Sequence, residues 1–349
     1  MVIDEVTTTA PAKAILFGEH AVNRGQAAIA TSVGLRMRCT VRRGGYLYHL
    51  QTAGHARTFT RDEVIGLGAH VDGWRKAAHY EAIRELAGRD YFAPAKYIIA
   101  HALRSIPALE DGLDIAFESA IPKSGGLGSG GAANAALAMA LAAFAPDFEA
   151  SSLTQRRIIG EWAYAGDVIA HGGIASALDT QTSLLGGVVR YTRETWGERI
   201  SVAPGLQLVI GDTGVRAQTS EVNAHVREWL AADATRMRYF EMIGMLSDMA
   251  QRGLETGDWR LLGKLMNMNQ LALERIGVSC SELERLIDAA IGAGALGAKL
   301  SGSGGGGIMI ALTADDTREA VAIALRNAGA QAVYTPEIAV PGAQVEVRR

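Results

Sequence analysis

The sequence predicts an α+β protein of two domains, and three observations lead there. At 349 residues and 48% hydrophobic content the chain is too long for one average domain and rich enough for two ordinary cores. Short runs rich in Ile, Val and Thr, suited to strands, alternate with longer segments of helical period. A glycine-dense loop, residues 122–131, feeds an alanine-rich segment at 132–144.

Taken in order, residues 2–41 read as strands and turns, because their apolar residues alternate or cluster in short β-branched runs. A strand is expected at 113–117. The segment 132–144 is a buried helix whose alanines permit close packing. Ser152-Leu153-Thr154-Gln155 reads as a capping box opening a helix with Ile158, Ile159, Trp162 and Ala163 on one face, which carries the chain towards Asp167 and His171. A strand at 187–191 closes the first half. The second half opens with a strand at 206–210, followed by a helix in which Val222, Val226, Trp229 and Leu230 recur at helical spacing. Ser279-Cys280-Ser281-Glu282 is a second capping-box candidate, with Leu283, Leu286, Ile287 and Ala290 facing inward and Gly292 and Gly294 as the stop. Strands at 307–312 and 332–335 complete a split βαβ layer.

The glycine loop carries the chemistry. Pro122-Lys123-Ser124-Gly125-Gly126-Leu127-Gly128-Ser129-Gly130-Gly131 brings a backbone without Cβ atoms to a helix N-terminus, whose first N–H groups have no internal partner. Such a terminus binds phosphate. The same residues spell a dinucleotide fingerprint, Gly126-x-Gly128-x-x-Gly131, with Asp147 and Glu149 about twenty residues on. That reading requires a strand directly before the glycines. Here Glu118 to Lys123 intervene, and the acids lie in a loop, so a nicotinamide or flavin enzyme is the rival of different chemistry.

Composition narrows the classes. A net charge of −3 gives no global basic bias, so nucleic acid is not an expected partner. Cys39 and Cys280 are far apart without metal-ligand spacing, which fits reduced, structural thiols in a cytoplasmic protein. The first residues lack the basic and apolar regions of a secretory leader, and no apolar run approaches the ~20 residues of a membrane span.

Two further motifs flank the loop. Pro11-Ala12-Lys13-Ala14-Ile15-Leu16-Phe17-Gly18-Glu19-His20 lies near the N-terminus, and Gly297-Ala298-Lys299-Leu300-Ser301-Gly302-Ser303-Gly304-Gly305-Gly306-Gly307 near the C-terminus. In this order the three motifs resemble the signatures of the galactokinase, homoserine kinase, mevalonate kinase and phosphomevalonate kinase (GHMP) superfamily, most strongly its mevalonate kinase family. His171-Gly172 with Ser176-Ala177-Leu178-Asp179, and Ile210-Gly211-Asp212-Thr213-Gly214-Val215, extend the likeness, which fails only over about residues 42–110.

The resemblance implies the GHMP kinase fold, a ribosomal protein S5-like domain (1–192) that binds ATP and a ferredoxin-like domain (193–349), with the nucleotide between them. It implies Asp179 and Lys13 as catalytic residues, the aspartate beside the substrate hydroxyl and the lysine keeping it ionised. Lys123, Gly125, Gly126, Leu127, Gly128, Ser129, Gly130 and Gly131 would hold phosphates, with Gly302, Ser303, Gly304 and Gly305 bracing the loop or the transferring group. Glu19, His20 and Thr213 would face the substrate, mevalonate by this likeness, and Ser129 with Asp167 would hold Mg²⁺. A homodimer is also implied. The plainer alternatives are an N-cap role for Asp179, a solvated charge at Lys13, a surface acid at Asp167 and a backbone-tied side chain at His20. The chain departs from the family in three places: Gly130 replaces the serine usually assigned to the metal, Asp167 replaces a longer glutamate, and the His171 to Asp179 spacing is one residue longer. These departures leave open a kinase for another small acidic alcohol or another hydroxyl, and a nucleotide-binding regulatory homologue with weak catalysis.

Overall fold

A computed structural model describes residues 3–122, 126–216 and 219–349. The chain begins with β1 (Glu5–Phe17), whose Thr, Val, Ile and Ala side chains are nearly all buried because both of its faces are covered. It pairs antiparallel with β2 (Ala28–Arg43), whose second half alternates buried and solvent-facing residues. Then come the hairpin β3 (Tyr48–Thr52) and β4 (His55–Phe59), helices α1 (Arg61–Lys76), α2 (Tyr80–Arg89) and α3 (Ala93–Leu103), and strand β5 (Leu113–Ser119). Helices α4 (Ser129–Ala142), α5 (Leu153–Ala170) and α6 (Leu178–Leu185) precede the short strands β6 (Val188–Tyr191) and β7 (Glu198–Ile200). These strands form one sheet, in which β5 joins β2, and β3 runs parallel to β5. Helix α4 is apolar all round and lies at the centre of this layer, packed on β1, β2, α3, α5 and α6.

A second sheet starts at β8 (Leu208–Asp212). Helices α7 (Thr219–Ala232), α8 (Met237–Thr256), α9 (Trp259–Ile276) and α10 (Ser281–Gly292) follow, then β9 (Gly297–Ser301), β10 (Ile308–Leu312), α11 (Arg318–Asn327) and β11 (Ala332–Tyr334). The strand order β11-β8-β10-β9, antiparallel throughout, is that of a split βαβ layer. The last strand, β12 (Gln344–Arg348), returns to pair with the outer edge of β1. The first sheet therefore draws β7 and β12 from beyond residue 192. One apolar cluster, including Leu16 of β1, Leu246 of α8, Leu265 of α9 and Ile310 of β10, joins the two layers.

Several elements differ from expectation. Helix α4 starts at Ser129, inside the glycine loop, rather than at 132. Ser152 does cap α5, accepting from Gln155 N at 3.4 Å, but the Gln155 side chain turns to Glu149 N and Asp147 O, so the box is half made. At α10 the expected capping box is one residue out of register: Cys280 is the N-cap and Ser279 bonds Glu284 instead. Residues 42–110, left unassigned by the sequence, supply two strands and three helices. One of their signals was legible, since Thr60-Arg61-Asp62-Glu63 is a complete capping box at α1.

Candidate active site

Lys13 lies within β1 and is 3% exposed, so its ammonium has few places to go. It sits 3.1 Å from Asp179 Oδ1 and donates to Gly126 O, also at 3.1 Å. Asp179 occupies the first turn of α6, but Ala177 is the N-cap there and no side chain caps the helix, which removes the capping role. Likewise Lys13 is not a solvated charge. Gly128, at φ 70°, is the N-cap of α4, and a Cβ on it would stand 2.8 Å from the Lys13 stem. A Cβ on Gly131 would stand 3.0 Å from Asp179 Cβ. Absence of side chains at these two positions therefore lets the helix N-terminus meet the lysine–aspartate pair. Among the described residues no side chain caps α4, which leaves the first-turn N–H groups for an anion.

The pair lines a cavity of about 330 Å³ shared with Ser129, Gly130, Asp167 and His171 on one side and Gly302, Ser303 and Gly304 on the other. The C-terminal glycine loop is tied to β1, because Ile15 N donates to Ser301 Oγ at 2.8 Å. Lys123 and Gly125 lie outside the described residues. Leu127 is fully buried and contributes its carbonyl, which accepts from Lys13 N at 3.0 Å. A Cβ at Gly130 would meet open space, so the missing serine is not a steric requirement.

Asp167 is 1% exposed, which overturns the surface-acid alternative. Its Oδ1 accepts from Asn134 Nδ2 of α4 at 3.0 Å, while Oδ2 has no partner among the described residues. Burial pushes this carboxyl up to about 6, with His171 opposing the rise and Asp179 adding to it. An enclosed carboxylate oxygen without a donor, beside Ser129 and a second carboxylate, suits a hard divalent cation that keeps water and phosphate as its other ligands.

On the opposite wall His20 adopts φ 59° and its Nε2 donates to Ser303 O at 2.8 Å, so the backbone-tied reading holds for that nitrogen even though the residue lines the cavity. Burial lowers His20 to about 4, leaving a neutral imidazole at physiological pH. Glu19 also lines the cavity, and its Oε1 is bonded to Lys299 Nζ of β9, not to Lys13. Lys299 had been quoted within the third motif without a role; the signal was a lysine in the middle of a strand of small and apolar residues. Thr213 does not line the cavity. Its hydroxyl donates to Gly307 O at 2.8 Å and accepts from Val215 N at 3.2 Å, so it braces the loop.

A second hollow of about 200 Å³ opens beyond Ser129 and Gly130, walled by Met37, Tyr91, Phe92, Pro94 and Phe117. Tyr91, Phe92 and Pro94 come from the region that the motifs left unread, and Phe117 from β5.

An S5-like layer and a split βαβ layer, enclosing a cavity where a buried lysine pairs with a half-buried aspartate beneath a helix N-terminus, define a small-molecule kinase of the GHMP class. The descriptions "GHMP kinases N terminal domain" and "GHMP kinases C terminal" match residues 94–187 and 250–331. Among full-length relatives, the mevalonate kinase of Aeropyrum pernix is 33% identical over 97% of both chains, and that of Pyrococcus abyssi 31% identical over 98% of both. The mevalonate kinase of Methanococcus jannaschii superposes with a TM-score of 0.76 at 21% identity, covering 95% of this chain and 98% of that one. That of L. major, solved in complex with R-mevalonate, gives 0.71 at 24% identity and 95% of each chain. The chain belongs to the mevalonate kinase family.

Proposed function

We propose that the protein transfers the γ-phosphoryl group of ATP to the primary alcohol of mevalonate, giving 5-phosphomevalonate and ADP, an early step towards isoprenoid precursors. The observation that carries this reading is the Lys13–Asp179 pair, 3.1 Å apart, facing the uncapped N-terminus of α4. In this reading the alcohol oxygen attacks γ-phosphorus in line, a P–O bond to it forms as the bond to the β-phosphate oxygen breaks, and the hydroxyl proton passes to Asp179. Lys13 holds that carboxylate in place through the ion pair and stabilises charge on the entering oxygen and the phosphoryl group. Backbone N–H groups of residues 129–131 and of the 302–304 loop orient the phosphates. Asp167 and Ser129 would hold Mg²⁺, which would screen the phosphate charge. The apolar hollow beside Tyr91 and Phe92 suits the adenine ring, so the nucleotide would lie along the N-terminus of α4 with the alcohol between Asp179 and the Glu19–His20 turn. The domain division at 192/193 is retained in this reading, with the first domain completed by β7 and β12. Among the described residues no helix is long and apolar enough to cross a membrane. Cytoplasmic localisation is part of this proposal, resting on two free cysteines without metal-ligand spacing.

The test is a panel of small acidic alcohols with ATP and Mg²⁺, read as ADP release, with the phosphorylated position assigned by ³¹P NMR. Turnover of mevalonate at the primary hydroxyl is expected. Turnover of another alcohol and none of mevalonate would overturn the substrate assignment.

A further inference from the structure

Lys299 lies in the middle of β9 with no solvent exposure at all. Its ammonium is bonded to Glu19 Oε1 and donates to Leu300 O at 2.6 Å. An ammonium withdrawn from water is costly unless paired, and an ion pair in such a place is seldom the most stable way to fill it. A methionine of similar length would fill the same strand position without that cost. The other end of the pair explains its presence: Glu19 is 1% exposed, lines the cavity that holds Asp179, and has a second oxygen, Oε2, with no partner among the described residues. One carboxylate oxygen is anchored and the other is left unbonded in an enclosed place where an unmet acceptor is itself unfavourable.

We propose that Lys299 is a positioning residue for the acceptor site, acting through Glu19: it fixes the carboxylate so that Oε2 accepts a hydrogen bond from a hydroxyl of the bound alcohol. The inference rests on the kinase reading above. Glu19 stands in the turn after β1 and Lys299 in the second sheet, so recognition of the alcohol depends on both layers being in register. The bracing is continued behind β9, where Gln270 Oε1 of α9 accepts from Leu300 N at 3.0 Å. Charged groups acting on Glu19 are Lys299 from β9 and Lys13 from β1; the adjacent His20 is neutral. Burial alone pushes the Glu19 carboxyl up, and Lys299 is the largest influence opposing that rise. Without Lys299 the main influence opposing that rise is gone, so Glu19 would hold a proton to higher pH than in wild type and its carboxyl would no longer be fixed with Oε2 towards the hydroxyl.

The experiment is steady-state kinetics of Lys299→Met in the full chain, varying the alcohol and ATP separately between pH 5.5 and 8.5. The alcohol KM is expected to rise roughly tenfold or more at pH 7 while the ATP KM stays within about twofold. The raised alcohol KM should also fall as pH rises, because Glu19 regains its charge. Alcohol KM and pH profile superimposed on wild type, whatever happens to the melting temperature, would overturn the proposal. Should Lys299→Met not fold, the Lys299→Met/Glu19→Gln double variant removes both buried charges. Its alcohol KM should then equal that of Glu19→Gln alone, and a further increase would show that Lys299 does not act through Glu19. Wild type is run on the same alcohol panel, and the variants are measured on whichever alcohol it turns over. Failure of the mevalonate assignment is thereby read separately from failure of the Lys299 assignment.

Discussion

Lys13 and Asp179 come from a strand flanked on both sides and from the first turn of a distant helix, and the chain places them 3.1 Å apart beside the glycine loop at the start of α4. Replacing Asp179 with Asn keeps the volume but removes the charge and the proton acceptor. We expect kcat to fall by about 10²-fold or more with nucleotide affinity largely kept, measured by turnover alongside nucleotide titration. Asp167 has a different signature. Its folded value of about 6 lies above the ordinary 3.8. Across that interval the folded protein keeps a proton that the unfolded chain has released, so metal-free stability should fall as pH rises from about 4 to about 6 and change little from this source beyond it. Asp167→Asn should flatten that slope in denaturant melts. Asp167→Ala should raise the Mg²⁺ concentration needed for half-maximal rate, and a titration superimposed on wild type would place the metal elsewhere. Lys13, Asp179, Asp167 and the glycines could be named from their motif positions. Lys299 had no assigned partner, because pairing between β9 and the turn after β1 is a property of the folded chain.

Helix α4 shows how an element is specified locally and aimed globally. Its alanines and glycine-rich approach are written in the sequence, but the helix begins at Ser129, three residues inside the expected loop, although glycine is a poor helix former. Packing against α6 overrides that propensity: Gly131 is needed where the helix passes Asp179. Gly131→Ala should help the helix intrinsically by up to about 1 kcal/mol while pressing on Asp179. We therefore expect a melting temperature within a few degrees of wild type and a kcat lowered roughly tenfold or more, since small displacements of reacting groups are costly. Unchanged turnover would show that α6 yields without disturbing the carboxylate. Between residues 42 and 110 the helices were missed for another reason. Helices α1 and α2 are polar on average and bury few residues each, so little of either reads as core, and the Thr60–Glu63 box marks the start of α1 alone.

At the scale of the whole molecule, the two layers are not successive beads. The chain returns through β12 to cover the edge of β1, with Arg348 donating to Ala143 O at 2.8 Å and Ala145 O at 2.9 Å behind α4. Deleting residues 344–349 should expose β1 over Val6 to Thr9 as an unpaired edge. A lower melting temperature and self-association by size-exclusion chromatography are expected. The soluble fraction should keep most of its kcat, because Lys13 lies further along β1 than the lost pairing. A melting curve unchanged by the deletion would show that β12 is an ornament on the first layer.

What the sequence by itself determined is the chemistry carried by contiguous residues: the α+β class, the two glycine loops, the helix after the first of them, and the candidate lysine and aspartates. Local backbone requirements and short-range periodicity leave direct marks on neighbouring residues, so these features could be read in order. Tertiary structure decided which of them meet. It enclosed Asp167 with one oxygen unbonded, turned Thr213 to its own loop, joined Glu19 to Lys299, and brought β12 back to β1. Each of these outcomes depends on pairing between segments far apart in the chain, where burial and the lack of competing water fix partners that no local pattern encodes.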